Sequence, residues 1–267
     1  MKIIVPIDFS ENSIKALDFA FTLAEKKDGE IILVHVIEIV YDFASQAAIA
    51  LDSMYKDSEG AFKKLISTYK SSKVKISYKL IEGTASITTA NLAEEEQADL
   101  IVMGTQGISG LKKTLMGSTA VNTIREASCP VLVVPNQAKV SGIKKITLAL
   151  EFADHEEKFI DWIIGLSQRW ELGLEFLHVQ TETSFKDKLC LKGLESFLEE
   201  KHPGLPVKIH TFFASSAFEG LNAYLDEAEE TILVMCHEHK NLWNQVLHKS
   251  QSIEMAYHTH IPLLIMN

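Results

Sequence analysis

A segment rich in glycine and hydroxyl residues follows a short apolar run, LIVM, near the middle of the chain. It contains Gly104, Gly107 and, after nine intervening residues, Gly117, Ser118 and Thr119. Glycine lets backbone N–H groups approach an anion closely, because it lacks a Cβ and adopts conformations that other residues avoid. A helix that opens at Gly117 would add free N–H groups and a helix dipole, both of which attract phosphate. The segment therefore predicts a phosphate-binding loop over residues 104–119.

A single carboxylate, Asp8, closes the first apolar run of the chain, KIIVPID. A carboxylate at the end of a buried strand can accept hydrogen bonds from a ribose or from a base amine. Alternatively, its charge complements the positive end of the next helix, for which Ser10 is a good N-cap residue. Both roles can hold together, and we favour ligand contact.

Apolar runs and helical periodicity alternate along the chain, and this order positions the two features. Alternation of this kind predicts a parallel sheet with right-handed crossovers and helices on both faces. Ligands bind such sheets at the carboxyl ends of the strands, near the point where the strand order reverses. Asp8 and Gly104 are therefore expected at one edge. The predicted strands are 2–8, 31–36, 74–80, 100–103 and 131–134, and the predicted helices are 14–24, 44–71, 87–97 and 121–127.

The same pattern then begins again, which indicates a duplicated domain. KITLAL at 145–150 repeats KIIVPI at 2–7, and ILVM at 232–235 repeats LIVM at 100–103. The offset is 143 in the first pair and 132 in the second, so the second copy is shorter in its middle. Repetition at this length means two domains and not a solenoid. We predict domains at 1–138 and 143–267, each a five-stranded parallel sheet with flanking helices, Rossmann-like in class.

Composition and charge exclude several classes of protein. The formal net charge is −10 and no basic segment stands out, so we expect no nucleic-acid partner. The three cysteines are far apart, which indicates reduced thiols and not a disulfide framework. No apolar stretch reaches the roughly 18–20 residues of a membrane helix, and the first residues do not read as a signal peptide. We expect a cytoplasmic protein without a membrane partner.

The motifs together resemble one family. The Gly-x2-Gly-x9-Gly-Ser/Thr spacing, VPID at 5–8, LVHV at 33–36 and CPVLVVP at 129–135 are similar to those of the universal stress protein family, here as a tandem two-domain member. The resemblance implies ATP binding in the first domain, with a divalent cation such as Mg²⁺. Asp8 and Val36 would hold the adenosine end, and the glycine segment the phosphates. The implied contact residues are Pro6, Ile7, Asp8, Val36, Met103, Gly104, Thr105, Gly107, Gly117, Ser118 and Thr119.

The second copy departs from this motif. Cys236, His239 and Lys249 stand where Gly104, Gly107 and Gly117 stand in the first copy, Gln251 replaces Thr119, and Glu151 replaces Asp8. Side chains would fill the space of the phosphates, so we predict that this copy does not bind ATP by the same route. The cluster of Cys236, His237 and His239 offers zinc-type ligands, but we favour ordinary loop residues and predict no metal site.

Three functions remain open at this point. The favoured one is a nucleotide-dependent stress-response or regulatory protein. The second is a slow ATP hydrolase or nucleotidyl-transfer enzyme of the same superfamily, although no nucleophile–base pair and no further phosphate-chemistry motif is found. The third is an interaction module with a metal or small ligand in the second domain. We expect no catalytic residues and at most slow turnover.

Some residues are expected to serve the scaffold alone. His35 and His178 occupy the same place in both copies, which favours a structural role. Glu94, Glu95 and Glu96 are expected to form a solvated helix face. The resemblance also implies that the last strands, Val131–Val134 and Leu263–Met266, pair antiparallel and make the chain an internal pseudo-dimer, which would cover two edge strands. Whether two chains also form a homodimer stays open.

Overall fold

The structure, a computed structural model, describes residues 1–26, 28–38, 44–70, 73–105, 117–182, 184–228, 230–236, 255 and 259–267. The side chains of residues 44–50 and 155 are not described. The chain divides into two compact units, Met1–Asn136 together with Asn267, and Gln137–Met266.

The first unit alternates strands and helices as the sequence predicts. The first helix begins after Ser10, whose hydroxyl accepts a hydrogen bond from the backbone N–H of Ser13, as an N-cap residue does. The strands are β1 (Lys2–Pro6), β2 (Glu30–Ile37), β3 (Lys75–Glu82), β4 (Leu100–Gly104) and β5 (Val131–Val134), and the helices are α1 (Glu11–Glu25), α2 (Ala44–Ile66), α3 (Ala85–Glu95) and α4 (Ser118–Glu126).

The five strands of the first unit are parallel and lie in the order β3-β2-β1-β4-β5. Right-handed crossovers then place α1 and α2 on one face and α3 and α4 on the other, and α3 packs against α4. The strand order reverses between β1 and β4. This gap is the switch point at which open α/β sheets bind their ligands.

The second unit has the same architecture. Its strands are β6 (Lys145–Ala149), β7 (Gly173–Gln180), β8 (Val207–Phe213), β9 (Thr231–Cys236) and β10 (Leu263–Met266), and its helices are α5 (Glu157–Trp170), α6 (Phe185–Lys201) and α7 (Ala217–Glu227). The order is β10-β9-β6-β7-β8, again all parallel. The predicted fold class, two tandem Rossmann-like domains with five-stranded parallel sheets, is confirmed.

The central strands read as continuous apolar runs because both faces of each sheet are covered. Ile3, Ile4 and Val5 of β1 are fully buried, as are Ile232, Leu233 and Val234 of β9. None of the helices in the described part of the chain is long and apolar enough to cross a membrane.

Each unit carries an ion network at the amino end of its sheet. In the first unit the Glu96 carboxylate accepts hydrogen bonds from Lys2 Nζ at 2.8 Å and Lys79 Nζ at 2.5 Å. Hydrogen bonds from Lys2 and then Lys79 lower the pKa of Glu96 to about 2. The expectation of a solvated face is therefore wrong for Glu96, although Glu94 and Glu95 are exposed.

In the second unit the carboxylate comes from a strand. Glu175 of β7 is only 8% exposed and binds Lys145 Nζ and the Tyr224 hydroxyl, each at 2.7 Å. His210 Nε2 lies 3.5 Å from the same carboxylate. Burial by itself would raise the pKa of Glu175, but the hydrogen bonds from Lys145 and Tyr224 outweigh it and hold the pKa below its usual value. The ionised form of Glu175 therefore stabilises the fold.

We expect Glu175→Gln to lower the free energy of unfolding by about 2 kcal/mol at pH 7, since a charge-assisted buried network is weakened. A carboxyl whose folded pKa is depressed stabilises the fold above its unfolded pKa, and this stabilisation is lost as the pH falls through the folded value. The difference between wild type and variant should therefore shrink below about pH 4.5. Denaturant titrations at pH 7 and pH 3 measure it.

Glu230→Gln serves as the matched control. Its carboxylate pairs with Lys144 at the surface, where the two side chains are 47% and 71% exposed. Such a pair contributes little, so this variant should unfold like wild type at both pH values. A Glu175→Gln deficit that stays the same at pH 3 would contradict the role of the ionised carboxylate.

Candidate functional site

Strand register brings the predicted ligand residues of the first unit to one edge. Pro6 pairs with Val34, so Asp8 and Val36 each lie two residues further on. Ile4 pairs with Ile101, so Asp8 and Thr105 each lie four residues beyond that pair. Asp8, Val36 and Thr105 therefore lie around the carboxyl ends of β2, β1 and β4, at the switch point.

The Asp8 carboxylate is held by the turn that follows it. Its Oδ1 accepts hydrogen bonds from the Ser10 backbone N–H at 3.0 Å and the Ser10 hydroxyl at 2.5 Å. Phe9 lies between them with φ +62°, in the left-handed region that non-glycine residues seldom adopt. The turn fixes a half-buried negative charge at the edge of the sheet, directly before α1.

Aromatic contacts sustain the left-handed Phe9. Its ring centroid lies 5.1 Å from that of His35 and 5.0 Å from that of Phe62. His35 Nδ1 is 2.7 Å from the carbonyl oxygen of Ile7, so that nitrogen carries the proton and donates it. His35 thus ties β2 to the end of β1. This geometry agrees with the scaffold role predicted for His35.

Gly104 is required by close packing. A Cβ at this position would lie 2.8 Å from the carbonyl oxygen and 3.0 Å from the carbonyl carbon of Asn12, in the first turn of α1. Carbon atoms need about 3.5–4.0 Å. The absent side chain lets α1 begin directly against the end of β4.

The other side of the edge is the start of α4. The Gly117 N–H donates a hydrogen bond to the carbonyl of Thr105, a residue only 4% exposed. Gly117 is the N-cap of α4, and as a glycine it has no side chain of its own with which to cap the helix. Ser118 and Thr119 are exposed in the first turn. The N–H groups of such a turn have no partner within the helix, so they favour an anion.

The remaining predicted contacts divide into three groups. Ile7 and Met103 are 2% and 4% exposed, so their side chains belong to the core. Pro6 and Val36 are half-buried near the strand ends. Gly107, and with it residues 106–116, lies outside the described residues.

The second unit keeps the scaffold of this edge. Phe152 is left-handed at φ +59°, and its ring centroid lies 4.5 Å from that of His178. His178 Nδ1 is 2.8 Å from the carbonyl oxygen of Leu150. Phe152 and His178 are the counterparts of Phe9 and His35, at the offset of 143. Both copies therefore keep the left-handed aromatic residue and the histidine that hold the turn after the first strand.

The charged groups on that scaffold are rearranged. Glu151, the counterpart of Asp8, is exposed. Instead Glu156, 5% exposed, accepts hydrogen bonds from the backbone N–H of Glu151 at 3.0 Å and of Ala153 at 3.0 Å. A carboxylate of the chain itself thus occupies the turn between β6 and α5. No sequence pattern announces Glu156, because its counterpart is Ser13.

Cys236 stands at the Gly104 position of the second unit. Where α1 begins with an α-helical turn, residues Asp154–Glu156 form a 3-10 turn before α5. Burial raises the pKa of the Cys236 thiol, and the carboxylates of Glu156 and Glu151 add to the effect. Among the described residues no three His, Cys, Asp or Glu side chains are placed to hold a metal. His237 and His239 of the zinc alternative lie outside the described part of the chain.

The strand order and the switch point between β1 and β4 place the first unit among the doubly wound α/β domains. The chain belongs to the universal stress protein family: the model of the "Universal stress protein family" matches residues 1–135. This match covers the first unit with its switch point.

Individual relatives agree with the family. Universal stress protein MJ0531 of Methanocaldococcus jannaschii is 35% identical over 142 residues, which are 52% of this chain and 84% of the relative. Universal stress protein YxiE of Bacillus subtilis is 31% identical over 147 residues, or 50% of this chain and 97% of the relative. A solved universal stress protein from Archaeoglobus fulgidus covers all of this chain and 96% of its own with a TM-score of 0.78, at 18% identity. This last likeness is one of fold, and it extends through both units.

Proposed function

We propose that the chain is a regulatory universal stress protein that binds ATP in its first unit. The observation that carries the proposal is the switch point between β1 and β4. There an oriented carboxylate, Asp8, and the N-terminus of α4 at Gly117–Ser118 flank the end of β4, where Gly104 has no side chain.

The chemistry of these groups suits the two ends of an adenine nucleotide. The Asp8 carboxylate is an acceptor, and adenosine offers donors in its amine and ribose hydroxyls. The start of α4 and the hydroxyls of Ser118 and Thr119 are donors, and phosphates are acceptors. A divalent cation such as Mg²⁺ would neutralise part of the phosphate charge when bound. Val36, level with Asp8, lines the adenosine end.

Regulation by occupancy is favoured over turnover. The Asp8 carboxylate lies at the adenosine end, where it is held by Ser10, and not beside the phosphates. The sequence offers no HxGH or SGGxDS motif. A general base would have to lie within hydrogen-bond reach of the attacking water. We therefore propose at most slow hydrolysis, which steady-state phosphate release would measure.

We propose that the second unit does not bind ATP. Glu156 already uses the backbone N–H groups of its turn, and its charge opposes a polyphosphate. Cys236 also introduces a side chain where the first unit has none. Calorimetry should accordingly show one nucleotide per chain.

Calorimetric titration with ATP, ADP, AMP and a cyclic nucleotide tests the proposal. We expect ATP to bind with a stoichiometry near one, and to raise the melting temperature in proportion to the logarithm of its concentration above Kd. Absence of binding by all four nucleotides would overturn the proposed function. Two equivalent sites would overturn the assignment of the second unit.

A further inference from the structure

A further polar side chain, that of Asn12, lies at the switch point. Asn12 is the second residue of α1, and its backbone carbonyl is the group that meets the missing Cβ of Gly104. Its Cβ lies 3.1 Å from the same point. Its side-chain Oδ1 is buried, and in the part of the chain that the structure describes it has no hydrogen-bond partner.

A buried amide oxygen without a donor is costly, and most such oxygens in folded proteins are paired. The neighbouring polar groups of this turn are already matched. Ser10 accepts from the Ser13 N–H, and the Asp8 carboxylate accepts from Ser10. No donor among the described residues reaches the Asn12 oxygen, so a donor from a bound molecule fits this position.

An amide oxygen accepts hydrogen bonds or binds a cation. An ATP molecule carries donors only on its adenine amine and its two ribose hydroxyls, since its phosphates are acceptors. Asn12 lies between Asp8, at the proposed adenosine end, and Gly104, on the way to the proposed phosphate end. The part of the nucleotide that spans this interval is the ribose.

We propose that the Asn12 side-chain oxygen accepts a hydrogen bond from a ribose hydroxyl of the nucleotide in the first unit. This inference rests on the proposed function and names a contact residue that the glycine motif does not contain. The second unit has His155 at the corresponding position of its sequence. The two copies therefore differ at the Asn12 position as well as at the Gly104 position.

Asn12→Leu tests the proposal, because leucine keeps the approximate size and removes the amide. We expect the Kd for ATP to rise about tenfold, the effect of one lost hydrogen bond. The melting temperature without nucleotide should stay equal or rise, since an unmatched polar group is removed. Asn91→Leu, at an exposed position of α3, is the control and should leave the Kd unchanged.

Deoxy-nucleotides locate the partner. Either 2′-deoxy-ATP or 3′-deoxy-ATP should bind wild type about tenfold more weakly than ATP does, and Asn12→Leu should bind that analogue and ATP equally. If wild type binds ATP and both analogues alike, the ribose assignment is wrong even where the variant fails to fold. If Asn12→Leu weakens the binding of ATP and of both analogues equally, and does so only when Mg²⁺ is present, the oxygen binds the cation instead. If wild type binds no nucleotide, the proposed function itself fails.

Discussion

Replacing Gly117 by lysine is expected to raise the Kd for ATP roughly 10- to 100-fold, the effect of about 1.4–2.8 kcal/mol of steric conflict. Lysine is the residue that the second copy carries at this position, as Lys249. The backbone of Gly117 has φ −77° and ψ 156°, which any residue adopts. The substitution therefore brings no backbone strain, and a loss of affinity would come from the side chain in the space of the phosphates. Calorimetry with ATP measures the Kd.

Two further variants separate bulk from charge and from general damage. Gly117→Glu should lower the affinity for ATP more than Gly117→Lys does, because a carboxylate at the helix start repels phosphate. Gly193→Lys introduces the same side chain in α6, where nothing lies within 4 Å. It should leave ATP binding unchanged and leave the stability equal or raise it by up to about 1 kcal/mol. ATP affinity in Gly117→Lys equal to that of wild type would remove the start of α4 from the site.

The architecture could be predicted from the sequence because it depends on periodicity. Apolar runs such as IIV in β1 and ILV in β9 are distinct from the helical spacing between them, and the repeat of KII and KIT marks the second copy. Element ends were less accurate. The long helix ends at Ile66 and not at 71, whereas the last helix of the first unit has its N-cap at Gly117, as the glycine segment predicts. Capping and turn geometry decide such ends, and periodicity does not contain them.

The supports of the site could not be predicted, since they depend on contacts between distant elements. Phe9 looks like an ordinary turn residue until His35 and Phe62 meet its ring. Glu96 looks like part of a solvated acidic run until Lys2 and Lys79 reach it. In each case the partner comes from another part of the sequence.

The second copy shows the same limit. Sequence alignment pairs Glu151 with Asp8, yet the structure gives the carboxylate role in the turn to Glu156. Alignment of the two copies identifies the counterpart of a residue, but it does not show which side chain makes the equivalent hydrogen bonds. The domain boundaries 1–138 and 143–267, the antiparallel pairing of Val131–Val134 with Leu263–Met266, the cytoplasmic location and the absence of nucleic-acid partners all stay predictions.

The second large effect is expected at Gly104. The motif assigns this glycine to phosphate contact, whereas the structure gives it a packing role as well, because its Cβ would collide with backbone atoms of Asn12. A backbone carbonyl cannot rotate away as a side chain can, so α1 must shift as a whole. The second unit accommodates Cys236 at this place with a 3-10 turn at residues Asp154–Glu156, which is consistent with such a shift. Gly104 is therefore a determinant of both stability and site geometry.

Gly104→Ala is accordingly expected to lower the free energy of unfolding by about 1–3 kcal/mol, as overpacking does. It should also raise the Kd for ATP at least about tenfold, because Asn12 and the Asp8–Ser10 turn move together. Gly165→Ala, in α5 with nothing within 4 Å, is the matched control. It should be neutral or stabilise its helix by up to about 1 kcal/mol. Denaturant unfolding and calorimetry on the two variants give both quantities. Loss of stability with unchanged ATP affinity would limit Gly104 to packing and place the nucleotide elsewhere. Loss of affinity at unchanged stability would contradict the close packing of α1 on β4, in which a Cβ at Gly104 lies 2.8 Å from the Asn12 carbonyl oxygen.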